Sequence, residues 1–387
     1  MSAVYVNVRP EIISWALNQT REEKLGDKLM DNITQWINGT KTPTFNQIED
    51  FSKKANIPLG YFFLQTPPEE HIELLEYRTI DSIQLENPSR NLIDTIHEME
   101  RVQDWMKDYR QELGYDVLPV VGCMKGIKEV NSIVDRIRKD LDLDDTWYEK
   151  CKDAREAFSY IRGRLEVSGI VVMMNGVVGK NTHRVLDVNE FRAFVMVDEW
   201  APLIFINTAD SSGAKIFSLL HEVAHVWIGE DDLYNDRRNR TDGVNATEVI
   251  CNAVAGELIV PKETFLNKWD ASNINVYATI TELARHFRCG EIVIARKAMD
   301  CKKINQNVYN QVVQTAIDNY NQRKEDKEGS GGNYYNTMGA RLDGCFVRAL
   351  CESINMGRTS YTEAYRLTNT SRKTFPDVVQ RFGGVEC

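Results

Sequence analysis

The sequence predicts an α+β fold, mostly helical, with one small sheet. Three observations carry this. Apolar residues recur at three- and four-residue spacing through most of the chain. From about residue 168 to 207 that rhythm gives way to short β-branched or aromatic runs separated by turn signals. The helical period then returns immediately after TADSSG.

The elements follow in order. IISWALNQ, REEKLGDKLMDNITQWING and TFNQIEDFSKKANI predict helices within the first 65 residues, punctuated by Gly39 and Pro43. Thr44, with Gln47 three residues on, has the capping-box pattern for the third. QTPPEE breaks the chain. A long amphipathic helix is predicted over roughly 89–113, ending at Gly114, and another near 153–166. GIVVMMNGVVG, FRAFVMVDEW and APLIFIN read as three strands, the last two paired across DEWAP. AKIFSLLHEVAHVWIG is helical, EDDLYNDRRNRTDGVN is a polar loop, and ATEVICNAVAGELIVP is a helix stopped by Pro261. Helices continue to about 323, RKEDKEGSGGN is a charged, Gly-rich linker, and the tail is helical. The expected domains are 1–70, a helical connector 71–150, an α+β domain 151–270, a helical segment 271–325, the linker 326–333 and a C-terminal helical unit 334–387.

Composition bounds the function. Hydrophobic residues make up 42% of the 387 and charged residues 27%, as expected of a soluble globular chain. The net charge of -10 argues against a protein that coats nucleic acid, although a local basic face is compatible with it. The most apolar runs are too short to cross a bilayer. MSAVYVNVRPEIISW lacks the basic start and apolar run of a signal peptide, so the expected location is cytoplasmic. Eight scattered cysteines form no C-x-x-C pair, which predicts reduced thiols.

The chemistry concentrates in SLLHEVAHVWIG, residues 218–229. His221 and His225, four apart on a helix, share one face and can offer imidazole nitrogens to one metal ion. Glu222 lies about 100° around from His221, so it is not a third ligand to that ion. Zinc lowers the pKa of a water it holds, and a neighbouring carboxylate can take the proton, which is the physical basis of H-E-x-x-H. The alternative is an ordinary helix with two core or surface histidines. A third ligand weighs against that alternative. Glu248, 23 residues after His225 at the start of the next helix, is the best placed, since His₂Glu is a known catalytic zinc set. Glu230, Asp231, Asp232, Asp236 and Asp242 compete with it. Asn252, one turn on from Glu248, is a candidate to orient a ligand.

From about 153 to 262 the chain resembles the ImmA/IrrE family of gluzincin-type metallopeptidases. The resemblance rests on FRAF, APLIFIN, HEVAH and E-x-x-C-N followed by AVAGELIVP. Cys251 stands where that family usually has Ala. The resemblance implies a zincin-like unit in which a short sheet packs against the ligand helices. It also implies Zn2+ held by His221, His225 and Glu248, with Glu222 as general base. An oxyanion stabiliser is also needed, and Tyr234, His183, Arg184 and Arg192 are the candidates.

Residues 12–65 resemble the helix-turn-helix domain of the XRE repressor family through ITQWINGTKTPTFNQIEDFSKKANIPLGYFF, with a degenerate first half. Acids interleave its lysines and arginines, so protein docking is favoured over DNA binding there. Residues 279–304 also have a helix-turn-helix rhythm, for which a packed helical pair is the expected role. These readings converge on a zinc metalloendopeptidase that cuts a regulatory protein, such as a repressor encoded nearby. Access to its site is expected to be limited by the 230–245 loop or the N-terminal domain. One alternative is an antitoxin or regulatory binding protein of a toxin-antitoxin or mobile-element system that keeps the fold as a scaffold. Another is a DNA-binding transcription factor.

Overall fold

A computed structural model describes residues 3–20, 25–68, 88–234, 246–269, 275–325 and 341–382. The chain divides into two compact units, Met1–His97 and Glu98–Cys387.

The first unit contains α1 (Pro10–Asn18), α2 (Asp27–Ile37) and α3 (Phe45–Ala55), followed by a 3-10 turn at Leu59–Phe63. Ile12, Ile33, Trp36, Ile48, Phe51 and Phe62 form its core. The predicted capping box is present. Gln47 N–H donates to Thr44 Oγ1 at 3.4 Å, and Thr44 N–H donates to Gln47 Oε1 at 2.9 Å. Lys53 and Lys54 on α3 pair with Glu49 and Asp50 one turn back, at 2.7 and 3.1 Å.

Helix α4 (Arg90–Glu112) spans the boundary in sequence. Then come α5 (Val130–Asp140), α6 (Ala154–Val167), β1 (Val171–Asn175), β2 (Ala193–Met196), β3 (Leu203–Asn207), α7 (Ser212–Ile228), β4 (Asp232–Tyr234) and α8 (Ala246–Ile259). Helices α9 (Lys262–Lys268), α10 (Val276–His286), α11 (Glu291–Asp300) and α12 (Gln306–Glu325) continue the chain. The C-terminal unit is α13 (Gly344–Asn355), α14 (Tyr361–Leu367) and α15 (Phe375–Phe382). The fold is α+β and mostly helical, as the sequence predicts.

The sheet has the order β1-β3-β2-β4. Strands β2 and β3 form the expected antiparallel pair, with Met196 opposite Leu203, and β1 lies parallel to β3. The sheet has one strand more than predicted. Strand β4, in the segment read as a polar loop, runs antiparallel to β2. An edge strand pairs through its backbone and needs no apolar alternation, so its charged sequence hides it. The Asp231 carboxylate reinforces this edge by accepting a hydrogen bond from Val197 N–H.

Helix α4 latches the β2–β3 hairpin. Gln103 Nε2 donates to Met196 O at 2.8 Å and Ala201 O at 2.9 Å, and Lys107 Nζ meets Asp198 Oδ2 at 2.6 Å. Burial pushes the Asp198 carboxyl up, but the hydrogen bond from Lys107 and two backbone N–H groups outweigh it and leave the pKa lowered. The other edge of the sheet is closed from the C-terminal unit. Buried Asp343 accepts from Val172 N–H at 3.1 Å, while Arg162 donates to Val172 O at 2.9 Å and Leu342 O at 2.5 Å. Cys123, Cys151, Cys251, Cys289, Cys301 and Cys345 are free thiols. Cys351 is disulfide-bonded, which departs from the expectation of reduced thiols throughout.

Helix α7 is the structural axis. Every residue from Ser218 to Ile228 is buried, so the helix runs through the core. It packs on β2 and β3 and against α6 and α8. Both of its ends meet glycine. At the C-terminus Gly229 is left-handed (φ 83), and a Cβ there would lie 2.8 Å from Gly122 Cα. The same loop caps the helix, with Gly122 N–H donating to Val226 O at 2.9 Å and Met124 N–H to Trp227 O at 2.8 Å. At the N-terminus a Cβ on Gly213 would lie 2.7 Å from Gly290 N.

These contacts predict a contrast between two glycines. Gly229→Ala combines a strained φ with a backbone clash and should cost about 2–4 kcal/mol. Gly256→Ala, in the middle of α8 with nothing within 4 Å of the added Cβ, should instead stabilise by roughly 0.5–1 kcal/mol. Denaturant unfolding of both variants checks this.

Candidate metal centre

Ser211 caps α7, its hydroxyl accepting from Ala214 N–H at 3.2 Å. Two and a half turns later α7 presents His221 and His225, both buried in the core. Helix α8 packs along α7 and brings Glu248, in its first turn, to the same point. Its own position is fixed from several sides. Cys251, Val254, Ala255 and Leu258 enter the core, Trp147 Nε1 donates to Leu258 O at 3.0 Å, and Lys297 pairs with Glu257. The small Cys251 fits the core position that the sequence comparison assigned to Ala.

The three side chains converge closely. His221 Nε2 and His225 Nε2 are 3.2 Å apart. Glu248 Oε2 is 3.4 Å from the first, and Oε1 is 3.2 Å from the second. A tetrahedron with metal–ligand distances of 2.0–2.1 Å has edges of about 3.3–3.4 Å. The His221–His225 separation has that length, and each imidazole lies equally close to one oxygen of Glu248, Oε2 for His221 and Oε1 for His225. Among the described residues this is the one group of three or more His, Cys, Asp or Glu side chains that could hold a metal ion. A proton can bridge only one of these contacts at a time, whereas a cation satisfies all three. The residues fit a small divalent ion that takes nitrogen and oxygen ligands. Glu248 is 26% exposed while the histidines are sealed, so the carboxylate side is the one open to solvent.

Electrostatics reinforce the arrangement. Burial raises the Glu248 carboxyl, but hydrogen bonds from His221 and His225, together with their charge, hold it far below the ordinary carboxylate range. Glu222, beside His221 on α7, is fully buried.

The other residues singled out in the sequence are placed less closely. Asn252, one turn on from Glu248, is exposed. Glu230 is exposed, and Asp231 is engaged with Val197. Asp236 and Asp242 lie outside the described residues, as do the side chains of Asp232 and Tyr234, most of the 230–245 loop and the 326–333 linker. His183 is exposed. Arg192 pairs with Asp210 at 2.5 Å. Sequence reasoning missed the residues that hold the frame. Trp227 Nε1 donates to Asp140 Oδ2 at 2.9 Å, tying α7 to α5, and Gly122 caps the helix end. Both contacts are distant in sequence, and neither pattern marks itself locally.

Comparison with protein-family models finds a match over this region. Residues 165–299 match the model described as the IrrE N-terminal-like domain (Peptidase_M78), from the end of α6 through α11. The match includes the sheet and both ligand helices, and extends past residue 262, where the resemblance read in the sequence stopped. Residues 342–381, the C-terminal unit, match a domain of unknown function (DUF8813). A search of curated proteins finds no match. Among the described residues no helix is long and apolar enough to cross a membrane.

The donor triangle predicts the behaviour of its members. Wild-type protein dialysed against zinc should retain a single ion per chain, and His225→Ala or Glu248→Ala should lose it, as read by elemental analysis. Asn252→Ala, at an exposed position, should keep the wild-type metal content.

Proposed function

We propose that this protein is a zinc-dependent metalloendopeptidase that cleaves a regulatory protein such as a repressor. The observation that carries this reading is the convergence of His221 and His225, on the helix that also bears Glu222, with Glu248 of α8, their facing ligand atoms 3.2–3.4 Å apart. The match of residues 165–299 to a peptidase family supports it. His₂Glu is a known catalytic zinc set.

In this reading His221, His225 and Glu248 hold the ion. Zinc bound there supplies Lewis acidity and makes water a nucleophile at neutral pH. Glu222 acts as general base and acid. Its carboxylate takes a proton from the attacking water and returns it to the leaving amine. The apolar wall around α7 keeps bulk water from competing with that transfer. The partly exposed Glu248 side is where a peptide would approach. The cytoplasmic location expected from the sequence fits a target among cytoplasmic regulators.

Glu222→Gln keeps the shape and the ligands but removes the base, so zinc content should be unchanged while cleavage falls by about 10²–10⁴-fold. The substrate is found with the same variant. Tagged Glu222→Gln and wild type are expressed in the native host, and retained proteins are compared by mass spectrometry. The expected result is a protein held by the variant and found shortened with wild type. A protein held equally and intact by both would favour a binding scaffold over an enzyme.

A further inference from the structure

Each of the two ligand helices carries an apolar side chain beside the His221–His225–Glu248 set that the core does not take up completely. On α7 the buried run begins at Ser218. Phe217, immediately before it, is only partly buried. It stands four residues ahead of His221, so the two share a face of the helix. Their ring centroids lie 6.5 Å apart.

On α8 the contrast is sharper. A helix with one side in water normally turns charged residues outward, and a helix that is apolar all round is normally covered on every side. Helix α8, ATEVICNAVAGELI, is apolar nearly all round and has two acids. Glu248 faces the histidines, and Glu257 is held by Lys297. The exposed residues of α8 are therefore uncharged: Ala246, Val249, Asn252 and Ala253. Val249, next to Glu248 and about 100° round the helix from it, is 54% exposed. Glu248 Oε2 and His221 Nε2 are 3.4 Å apart, so Phe217 and Val249 flank one ligand set, each from its own helix. Glu248 is also the ligand that reaches solvent. Apolar groups left uncovered at the mouth of a polar site gain most from an apolar side chain that excludes water from them.

We propose that Phe217 and Val249 select the substrate by receiving a large apolar side chain, such as leucine, phenylalanine or methionine, of a bound polypeptide next to the bond to be cut. This rests on the peptidase reading and adds the side-chain class. The test reads binding first and cleavage second, so that the two can fail separately. Zinc-loaded full-length Glu222→Gln is panned against a random dodecapeptide library, and the bound peptides are sequenced. Large apolar residues should be enriched at a fixed position. Adding Val249→Lys, a change at an exposed site, should leave zinc content and melting temperature as they are and bring Asp and Glu into the enriched set. Adding Phe217→Ala should weaken binding of the best peptide about tenfold with zinc retained. No enrichment, enrichment without an apolar preference, or a preference unmoved by both changes would overturn the proposal. The selected peptides are then given to zinc-loaded wild type. Cleavage beside the apolar residue supports the proposal and the peptidase reading together. Binding that depends on Phe217 and Val249 without cleavage would remove the peptidase reading and leave apolar recognition as the property of a binding site.

Discussion

A helix that carries two histidines and a glutamate through a hydrophobic core sets the terms for the rest of this fold. From Ser218 to Ile228 no residue of α7 reaches solvent, so its polar side chains cannot be hydrated and must be accommodated by neighbours. The surrounding elements respond to that requirement. The sheet covers one side, α6 and α8 cover others, and glycine at each end lets backbone approach backbone where a side chain would intervene. The Gly122 loop takes up the terminal carbonyls of Val226 and Trp227, and Asp140 receives the indole N–H of Trp227. A helix fixed along its length and at both ends places His221 and His225 with little freedom.

That rigidity gives the second helix its role. Glu248 sits in the first turn of α8, where its position depends on how α8 is anchored further along. Trp147, Lys297 and the apolar side of α8 supply that anchorage. The lowered pKa of Glu248 follows from the result: burial opposes ionisation, and two imidazoles within 3.4 Å prevail over it. Protons on the two imidazoles can serve the contacts to Glu248 but leave the ring nitrogens facing each other at 3.2 Å. A divalent ion would satisfy all three contacts, and binding one would stabilise the folded chain by mass action.

Much of this was legible in the sequence. H-E-x-x-H encodes its own geometry through the helical repeat, and Glu248 stands out because it opens the next helix. Thr44 and Gln47 announced the α3 cap, and DEWAP announced the β2–β3 turn. The misses share a cause: their signal lies outside the local pattern. Strand β4 pairs through its backbone, so Asp232 and its neighbours read as loop. Asn252 has helical spacing to Glu248 but faces solvent, since spacing fixes a face and not what covers it. Gly122, Gly213 and Gly290 matter through contacts 77–107 residues away in sequence, as for Gly213 with Gly290 and Gly122 with Gly229.

The central claim is that α7 and α8 together build a His₂Glu metal centre. X-ray absorption at the zinc edge of the loaded full-length protein tests it most directly. The account predicts nitrogen and oxygen neighbours at about 2.0–2.1 Å, with the outer-shell scattering of two imidazoles and no sulfur. A sulfur shell near 2.3 Å, or a first shell without imidazole, would contradict it.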